Sequence, residues 1–490
     1  MDLVSFFDKE DIFDCLQTLE YLKVNKKAVR MWYMLNKNTK ISIKTAYGNT
    51  QEADVGDCLA QGTAGAGLVS AANLDLGLQK HFNSSHEHSN SSHEHFNCSH
   101  EVMYFGHVRL QPLSNQDDVG TLCTSVAMAR NQATKLTKMV KEKTLDAHPD
   151  KSGVVILGSK AFKNKINKEL ENEPIDFEKF KLKIKTTDKY LGQVLESDLS
   201  TSALATVQER AGKIKGATME IKSIIENFQI QAMGGLVAAW TLWERALIPS
   251  LLSGAGTWLG DIHNAVKLCN QIQSFFWRVI LKVPESCPKL ALRCETKMRD
   301  IKWRIWEDKC LLLQRIQNLE EGSLAKVRNN EADDKGWPGL SREVRKTCKE
   351  IGIPDINLHK MRKEEIQKAV DKNHYGDMMG QFEGSKKLQD IRHDDFSKIQ
   401  DYFNDTNLAN ARTKFRIRTK MLDKIPGNFK NKYKKFENGL KCNLCPEEMT
   451  QNHCKICPAR LELRDNLNME NLDDLVIYFQ AILSDKTKTS

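Results

Sequence analysis

Two carboxylates stand side by side at Asp117 and Asp118, in the stretch SNQDD between the strand-like runs HVRLQPL and VGTLCT. That pattern predicts a β-hairpin with the acid pair at its tip. Carboxylates on a rigid tip can hold Mg²⁺, which prefers oxygen ligands and binds one or two carboxylates beside substrate phosphates. Two such ions about 4 Å apart clamp the attacking and leaving oxygens of a nucleotidyl transfer. By itself an Asp-Asp in a turn is ordinary turn chemistry, because Asp bonds its own backbone there. The order of the surrounding elements has to decide. A second cluster, CNLCPEEMTQNHCKIC, occupies residues 442–457. Cys442 and Cys445 have zinc-knuckle spacing, and the second half offers two registers, His453 with Cys457 or Cys454 with Cys457. Either completes a tetrahedral N/S set for one Zn²⁺.

The elements that must carry these groups can be read from periodicity. Residues 8–22 predict a helix with Ile12, Leu16, Leu19 and Leu22 on one face, and a second helix surrounds Val29 to Leu35. Ile41, Ile43 and Thr45 alternate as in a short strand, and QGTAGAG at 61–67 is a turn before a helix through Leu68 to Leu78. A polar tandem repeat, FNSSHEH, SNSSHEH, FNCSHE, fills residues 82–101 and is expected as a surface insertion. After the hairpin come a helix over about 125–147, a strand in PDKSGVVILG, and strands in KLKIKTT and YLGQVL. From about residue 200 the pattern is helical, with Pro249, Pro284, Pro288 and Pro338 as breaks. Trp240, Trp243, Trp277, Trp303 and Trp306 are expected to pack those helices together. An amphipathic helix ends near Leu483.

Composition narrows the setting. The chain has 490 residues, enough for two to four domains, and its 40% apolar content is that of a globular protein. Thirteen cysteines without a pattern until residue 442 give no disulfide framework and suggest a reducing, intracellular compartment, nuclear or cytoplasmic. The acidic start, MDLVSFFDKEDIFD, is not a secretory signal. The best candidate for a membrane span, Leu236 to Leu252, is interrupted by Glu244, Arg245 and Pro249, so no membrane is expected. Between Ala411 and Lys441 there are eleven Lys or Arg and two acidic residues, a surplus that equals the net charge of +9 for the whole chain. Phe415, Phe429, Tyr433 and Phe436 are interleaved with them. Lys and Arg displace phosphate counterions and aromatics stack on unpaired bases, so this arm, led by Arg412, Lys414, Arg416, Arg418 and Lys420, is a candidate nucleic-acid surface; the alternative is a solvated helix face.

The motifs, taken in order, resemble the reverse transcriptases of non-LTR (LINE-like) retrotransposons. Asp2, Phe7 and Asp8 in DLVSFFD fit the family's first motif, and Gln61 and Gly62 in QGTAGAGLVSAANLDLGL its second. SNQDD supplies the acidic hairpin, HPDKSGVVILG at 148–158 the next motif, and Tyr190-Leu191-Gly192 the last. The resemblance covers most of the chain, best over 1–195 and 411–475. It implies an α+β fold: a palm with a ferredoxin-like antiparallel sheet over 1–195, a helical thumb and connection over 196–330, a helical basic region over 331–440, and a zinc knuckle with a terminal helix over 441–490. It implies RNA-directed DNA polymerase activity on an RNA template, a DNA primer and dNTPs. Asp2, Asp117 and Asp118 would hold two Mg²⁺, Phe7 would exclude a 2′-hydroxyl, Gln61 and Gly62 would line the nucleotide pocket, and Lys151 would protonate or neutralise pyrophosphate. It favours Cys442, Cys445, His453 and Cys457 as the zinc set, since Pro458 follows.

Two departures temper what the resemblance implies. Asn115 and Gln116 precede the acid pair where the family carries an aromatic and a small residue. Asp2 follows only Met1, so the first palm strand is expected to be missing and the chain as written to be inactive or nearly so, since a metal ligand needs rigid support. The competing expectation is a non-catalytic nucleic-acid-binding remnant that uses the zinc knuckle and the basic arm.

Overall fold

In the computed structural model, residues 3, 10–37, 40–41, 44–45, 48–49, 51, 53–54, 66–83, 104–105, 108–109, 112–115, 118–226, 234–350, 352, 358, 360–383, 385, 388, 399–421, 445, 447 and 455–484 are described. The chain mixes many helices with a few short strands, and it divides into two units, Met1–Ser202 with Glu320–Lys335, and Ala203–Leu319 with Gly336–Ser490.

In the first unit the helices are α1 (Ile12–Tyr21), α2 (Lys26–Asn36), α3 (Ala66–Asn83), α4 (Val126–Glu142) and α5 (Lys160–Asn172), with a further helix, Leu324–Asp334, in its second segment. Four of them begin at residues whose side chains accept a backbone N–H: Asp11 from Phe13 at 2.7 Å, Asn25 from Lys27 at 2.9 Å, Ser125 from Met128 at 3.1 Å and Ser159 from Phe162 at 3.3 Å. Each cap satisfies one of the first N–H groups that no helix can pair internally. The strands are β1 (Lys40–Ile41), β2 (Lys44–Thr45), β3 (Gly48–Asn49), β4 (Ala53–Asp54), β5 (Tyr104–Phe105), β6 (Val108–Arg109), β7 (Leu113–Asn115), β8 (Asp118–Gly120), β9 (Gly153–Val155), β10 (Asp176–Phe177), β11 (Phe180–Lys181), β12 (Lys183–Lys185), β13 (Thr187–Tyr190) and β14 (Gln193–Glu196). Among the described residues they pair two by two, and β9 with β12 is the parallel pair. The core packs Leu74, Leu78 and Phe82 of α3 against Leu136, Met139 and Val140 of α4, with Val119 of β8 and Leu3 included.

A buried polar network ties α1, α3 and α4 together. Asn73, 3% exposed, accepts from Thr18 Oγ1 at 3.0 Å and from Lys143 Nζ at 2.8 Å, and donates to Glu10 at 3.1 Å. Lys143 also pairs with Asp14 at 2.9 Å.

The second unit is helical: α6 (Ser202–Ile225), α7 (Gly235–Leu242), α8 (Ile248–Leu252), α9 (His263–Leu281), α10 (Lys289–Thr296), α11 (Ile301–Gln317), α12 (Leu340–Glu350), α13 (Lys363–Glu383), α14 (Leu408–Arg418) and α15 (Leu472–Ser484). The expected tryptophan packing is present. Trp243, Phe276, Trp277 and Phe403 form a chain of rings with centroids 4.6, 5.1 and 5.8 Å apart, and Trp303 is buried against α12 and α13 residues. The main core joins α6 to α9 with Tyr402, Phe403, Leu408 and Phe415, so residues on both sides of 330 share one interior. Pro249 does not break the helical run, contrary to expectation. A π-helical turn, Trp243–Leu247, directly precedes α8 and sets Pro249 in its first turn, where the missing N–H costs little. No helix among the described residues is long and apolar enough to cross a membrane.

Asn73→Leu should remove the hub of the network and lower the unfolding free energy by about 1–3 kcal/mol. Burial pushes the Glu10 carboxyl up, against hydrogen bonds from Asn73 and Cys15 and the nearby Lys143 charge. Its folded pKa therefore exceeds its unfolded one, and its contribution is fully present below the ordinary 4.5 and is lost as pH rises through the folded value. Urea melts of Glu10→Gln should show the variant gaining on the parent chain from pH 4 to about pH 7; a pH-independent difference would contradict this.

Candidate functional site

The expected hairpin is present, but Asp118 pairs within its second strand rather than standing at the tip. β7 and β8 are antiparallel, with Leu113 opposite Gly120, Ser114 opposite Val119 and Asn115 opposite Asp118. Gln116 and Asp117 connect them and lie outside the described residues, as does the Asn115 side chain. Alternation along a strand puts successive side chains on opposite faces. Val119, 2% exposed, enters the core, which leaves half-buried Asp118 and Gly120 on the other face.

That face meets a second hairpin, which was not expected: YLGQVL reads as a single strand, but the chain turns within it at Leu191-Gly192. β13 and β14 pair from Thr187 opposite Glu196 to Tyr190 opposite Gln193, closed by Leu191 and Gly192 with φ of 49° and 73°. Two positive φ values make the tight turn that matches strand twist, and glycine adopts one of them without strain. The Tyr190 ring lies against Gly120: a Cβ at residue 120 would stand 3.3 Å from Tyr190 Cε2. The Tyr190 hydroxyl donates to Leu113 O at 3.3 Å. Burial and the Asp118 carboxylate both push the Tyr190 phenol up, so the carboxylate is an electrostatic neighbour of the ring.

The third stretch arrives from the turn before β9. Ser152 N donates to His148 O at 2.9 Å, and exposed Lys151 lies in that turn. A cavity of 880 Å³ is lined by Asp118, Gly120, Lys151, Gly153, Tyr190 and Gly192, with Leu136, Ile166 and Phe177 among its apolar residues. Asp118, Lys151 and Tyr190, far apart in sequence, thus line one cavity. Asp2, Phe7, Gln61, Gly62 and Asp117 lie outside the described residues; Leu3, next to Asp2 in sequence, is 3% exposed and bridges Ala147. Among the described residues no three acidic, His or Cys side chains form a metal-binding group. Asp118 is thus the described member of the carboxylate set, with oxygen chemistry that fits Mg²⁺.

The basic helix α14 is placed differently from expectation. Arg412 Nε donates to Ile280 O at 2.7 Å and its guanidinium pairs with Glu226 at 3.0 Å. Lys414 pairs with Asp405 at 2.8 Å and with Asp473. Arg416 donates to Lys282 O at 2.9 Å, and Arg418 reaches the fully buried Glu295 at 2.9 Å, which also accepts from the Tyr402 hydroxyl at 2.6 Å. Burial lowers the Arg412 pKa despite Glu226; for Lys414 burial is outweighed by hydrogen bonds to Asp405 and Asp473, and its pKa rises. Four of the five cations are thus engaged within the second unit, and half-buried Lys420 follows at φ 55°. The remaining lysines of the arm fall in 422–444, outside the described residues.

Of the cysteine cluster, Cys445 and Cys457 are described, whereas Cys442, His453 and Cys454 lie outside the described residues. The two sulfurs are 3.8 Å apart. That is far beyond the roughly 2.05 Å of a disulfide. It matches the edge of about 3.8 Å that two thiolates share when each sits about 2.3 Å from one tetrahedral zinc. Cys457 is fully buried among Ile417 of α14 and Leu475, Val476, Tyr478 and Phe479 of α15.

Sequence reasoning did not single out Gly120 or Gly153. A glycine inside a strand often marks a close approach, and each here lies under a neighbouring side chain. Gly120→Ala is expected to destabilise the chain while Tyr190 is present and to do so much less in a Tyr190→Ala background. Urea melts of the four-member cycle should give a coupling of about 0.5–3 kcal/mol; additive effects would mean that Tyr190 does not brace the acidic hairpin.

Compared with models of known protein families and with curated proteins, the chain matches none.

Proposed function

We propose that the first unit is the palm of an RNA-directed DNA polymerase of the non-LTR retrotransposon type, acting on an RNA template, a DNA primer and dNTPs inside the cell. The observation that supports it best is the shared cavity of Asp118, Lys151 and Tyr190, three residues from three separate motifs. Their order along the chain carries the family resemblance, and their convergence is what a common reaction requires.

In this reading Asp2, Asp117 and Asp118 hold the two Mg²⁺. When bound, these ions supply the charge that makes the primer hydroxyl acidic and neutralises the leaving pyrophosphate. The chain's own residues do the rest. Gln61 and Gly62 line the nucleotide pocket, and Phe7 sits under the sugar and excludes a 2′-hydroxyl. Lys151 offers a proton or a positive charge to the pyrophosphate oxygens. Tyr190 and Gly120 fix the acidic hairpin against the neighbouring one. Cys442, Cys445, His453 and Cys457 hold a structural Zn²⁺, supported by the sulfur spacing of Cys445 and Cys457.

Primer extension on an RNA template is expected to require Mg²⁺ and to fall about 100-fold or more in Asp118→Asn, the scale of losing a group that stabilises transition-state charge. Asp117→Asn should do the same. Extension that persists in either variant excludes this site. The sulfur pair also favours a second reading, a nucleic-acid-binding remnant. It predicts salt-sensitive RNA or DNA binding that survives Asp117→Asn and weakens in Cys442→Ser, without nucleotide incorporation. In both readings the purified chain should carry about one zinc, and chelation should make Cys445 and Cys457 reactive toward maleimide; a zinc-free chain with unchanged melting would remove the knuckle.

A further inference from the structure

We propose that Lys185 is a positioning residue that holds Lys151 in the lining of the 880 Å³ cavity, an inference that rests on the polymerase reading for its catalytic consequence. β9 and β12 run parallel with Gly153 beside Lys183, Val154 beside Ile184 and Val155 beside Lys185. Residues paired in register share a face, so Lys183 and Lys185 lie on the same face as Gly153 and Val155. The Lys185 side chain turns back along that face. Its Nζ donates to Lys151 O at 2.6 Å and to Asp188 Oδ1 at 3.1 Å.

The path exists because residue 153 is glycine. A Cβ there would stand 2.7 Å from Lys185 Cε and 2.8 Å from Cδ, closer than carbon atoms tolerate. The lysine stem therefore occupies the space where any other residue would put its side chain. The ammonium ends in a sheltered position, with the Lys185 side chain 18% exposed and Asp188 28% exposed. Charge-assisted bonds of this kind are shorter and stronger than neutral ones. Lys183 makes a second tie to the same turn, pairing with Asp150 at 2.6 Å, but both of those side chains are largely exposed, so water and salt compete with the pair.

Lys185 thus joins three pieces of one site. It grips the backbone of the turn that carries Lys151, belongs to the strand paired with β9, and is neutralised by Asp188 of the hairpin that carries Tyr190. A lysine side chain is long and flexible, and fixing the carbonyl of its own residue is a direct way to limit where its ammonium reaches. Lys185 touches no reacting atom in this account; it acts through Lys151.

The test uses the full chain carrying Lys185→Met, which keeps the stem and removes the donor, and Lys185→Arg, which keeps a donor. The first readout is amine-reagent labelling of Lys151, measured by mass spectrometry relative to the exposed Lys160 and Lys168. Lys185→Met should change the Lys151 ratio and Lys185→Arg should restore part of it; an unchanged ratio in Lys185→Met overturns the inference. The second readout is nucleotide incorporation, where Lys185→Met should lower kcat about tenfold or more with the dNTP KM within about a factor of two, because geometry is lost rather than binding. Parent-like kcat in Lys185→Met, with the parent chain active, also overturns it. A parent chain that incorporates no nucleotide removes the polymerase reading, and the labelling ratio still decides whether Lys185 holds Lys151.

Discussion

Successive side chains of a strand cannot face the same way, and in β8 that rule is anchored by one residue. Val119 is 2% exposed in the core made by α3 and α4. While it stays there, Asp118 and Gly120 must present the opposite face, where Gly120 meets the Tyr190 ring. A slip of one residue would bury Asp118 without a partner and expose Val119, at a cost of several kcal/mol for the charge alone. The facing of Asp118 therefore depends on an apolar contact that has no chemical role. The glycines at 120 and 153 serve the same end by absence: one admits the Tyr190 ring, the other the Lys185 stem.

Several elements of the first unit could be read from the sequence because their signals are local: the polar SNQDD between strand-like runs, and the apolar periodicity behind α1 and α4. The turn at Leu191-Gly192, inside a run that reads as one strand, and the helix α5 were not read. What could not be read was contact across the chain. Nothing near Gly153 in sequence announces Lys185, and nothing near Asn73 announces Lys143. Pro249 was expected to end a helix, because a π-helical turn leaves no mark in composition that would warn of it.

The basic arm shows the same limit more sharply. Arg412, Lys414, Arg416, Arg418 and Lys420 recur every second residue, and on a helix that spacing puts cations on two opposite sides rather than along one solvated face. Such a helix can be buried only if acids and carbonyls meet it from several sides. In the second unit they do: Glu226 and the Ile280 carbonyl for Arg412, Asp405 and Asp473 for Lys414, Glu295 for Arg418. Those partners lie in other helices and loops, so the sequence could display the charge but not its destination. Buried pairs of this kind add little net stability, yet removing one partner strands the other, which fixes where α14 can pack.

The account's central claim is that Asp118 and Tyr190 face a common metal-dependent nucleotide site. Replacing the tyrosines by fluorotyrosine and adding Mn²⁺ with a dNTP tests it directly by ¹⁹F NMR, with the Tyr190 resonance assigned through Tyr190→Phe. The account predicts that Mn²⁺ and dNTP together broaden the Tyr190 resonance in the parent chain and leave it sharp in Asp117→Asn. A Tyr190 resonance that stays sharp in the parent chain, or broadens equally in the variant, would contradict it.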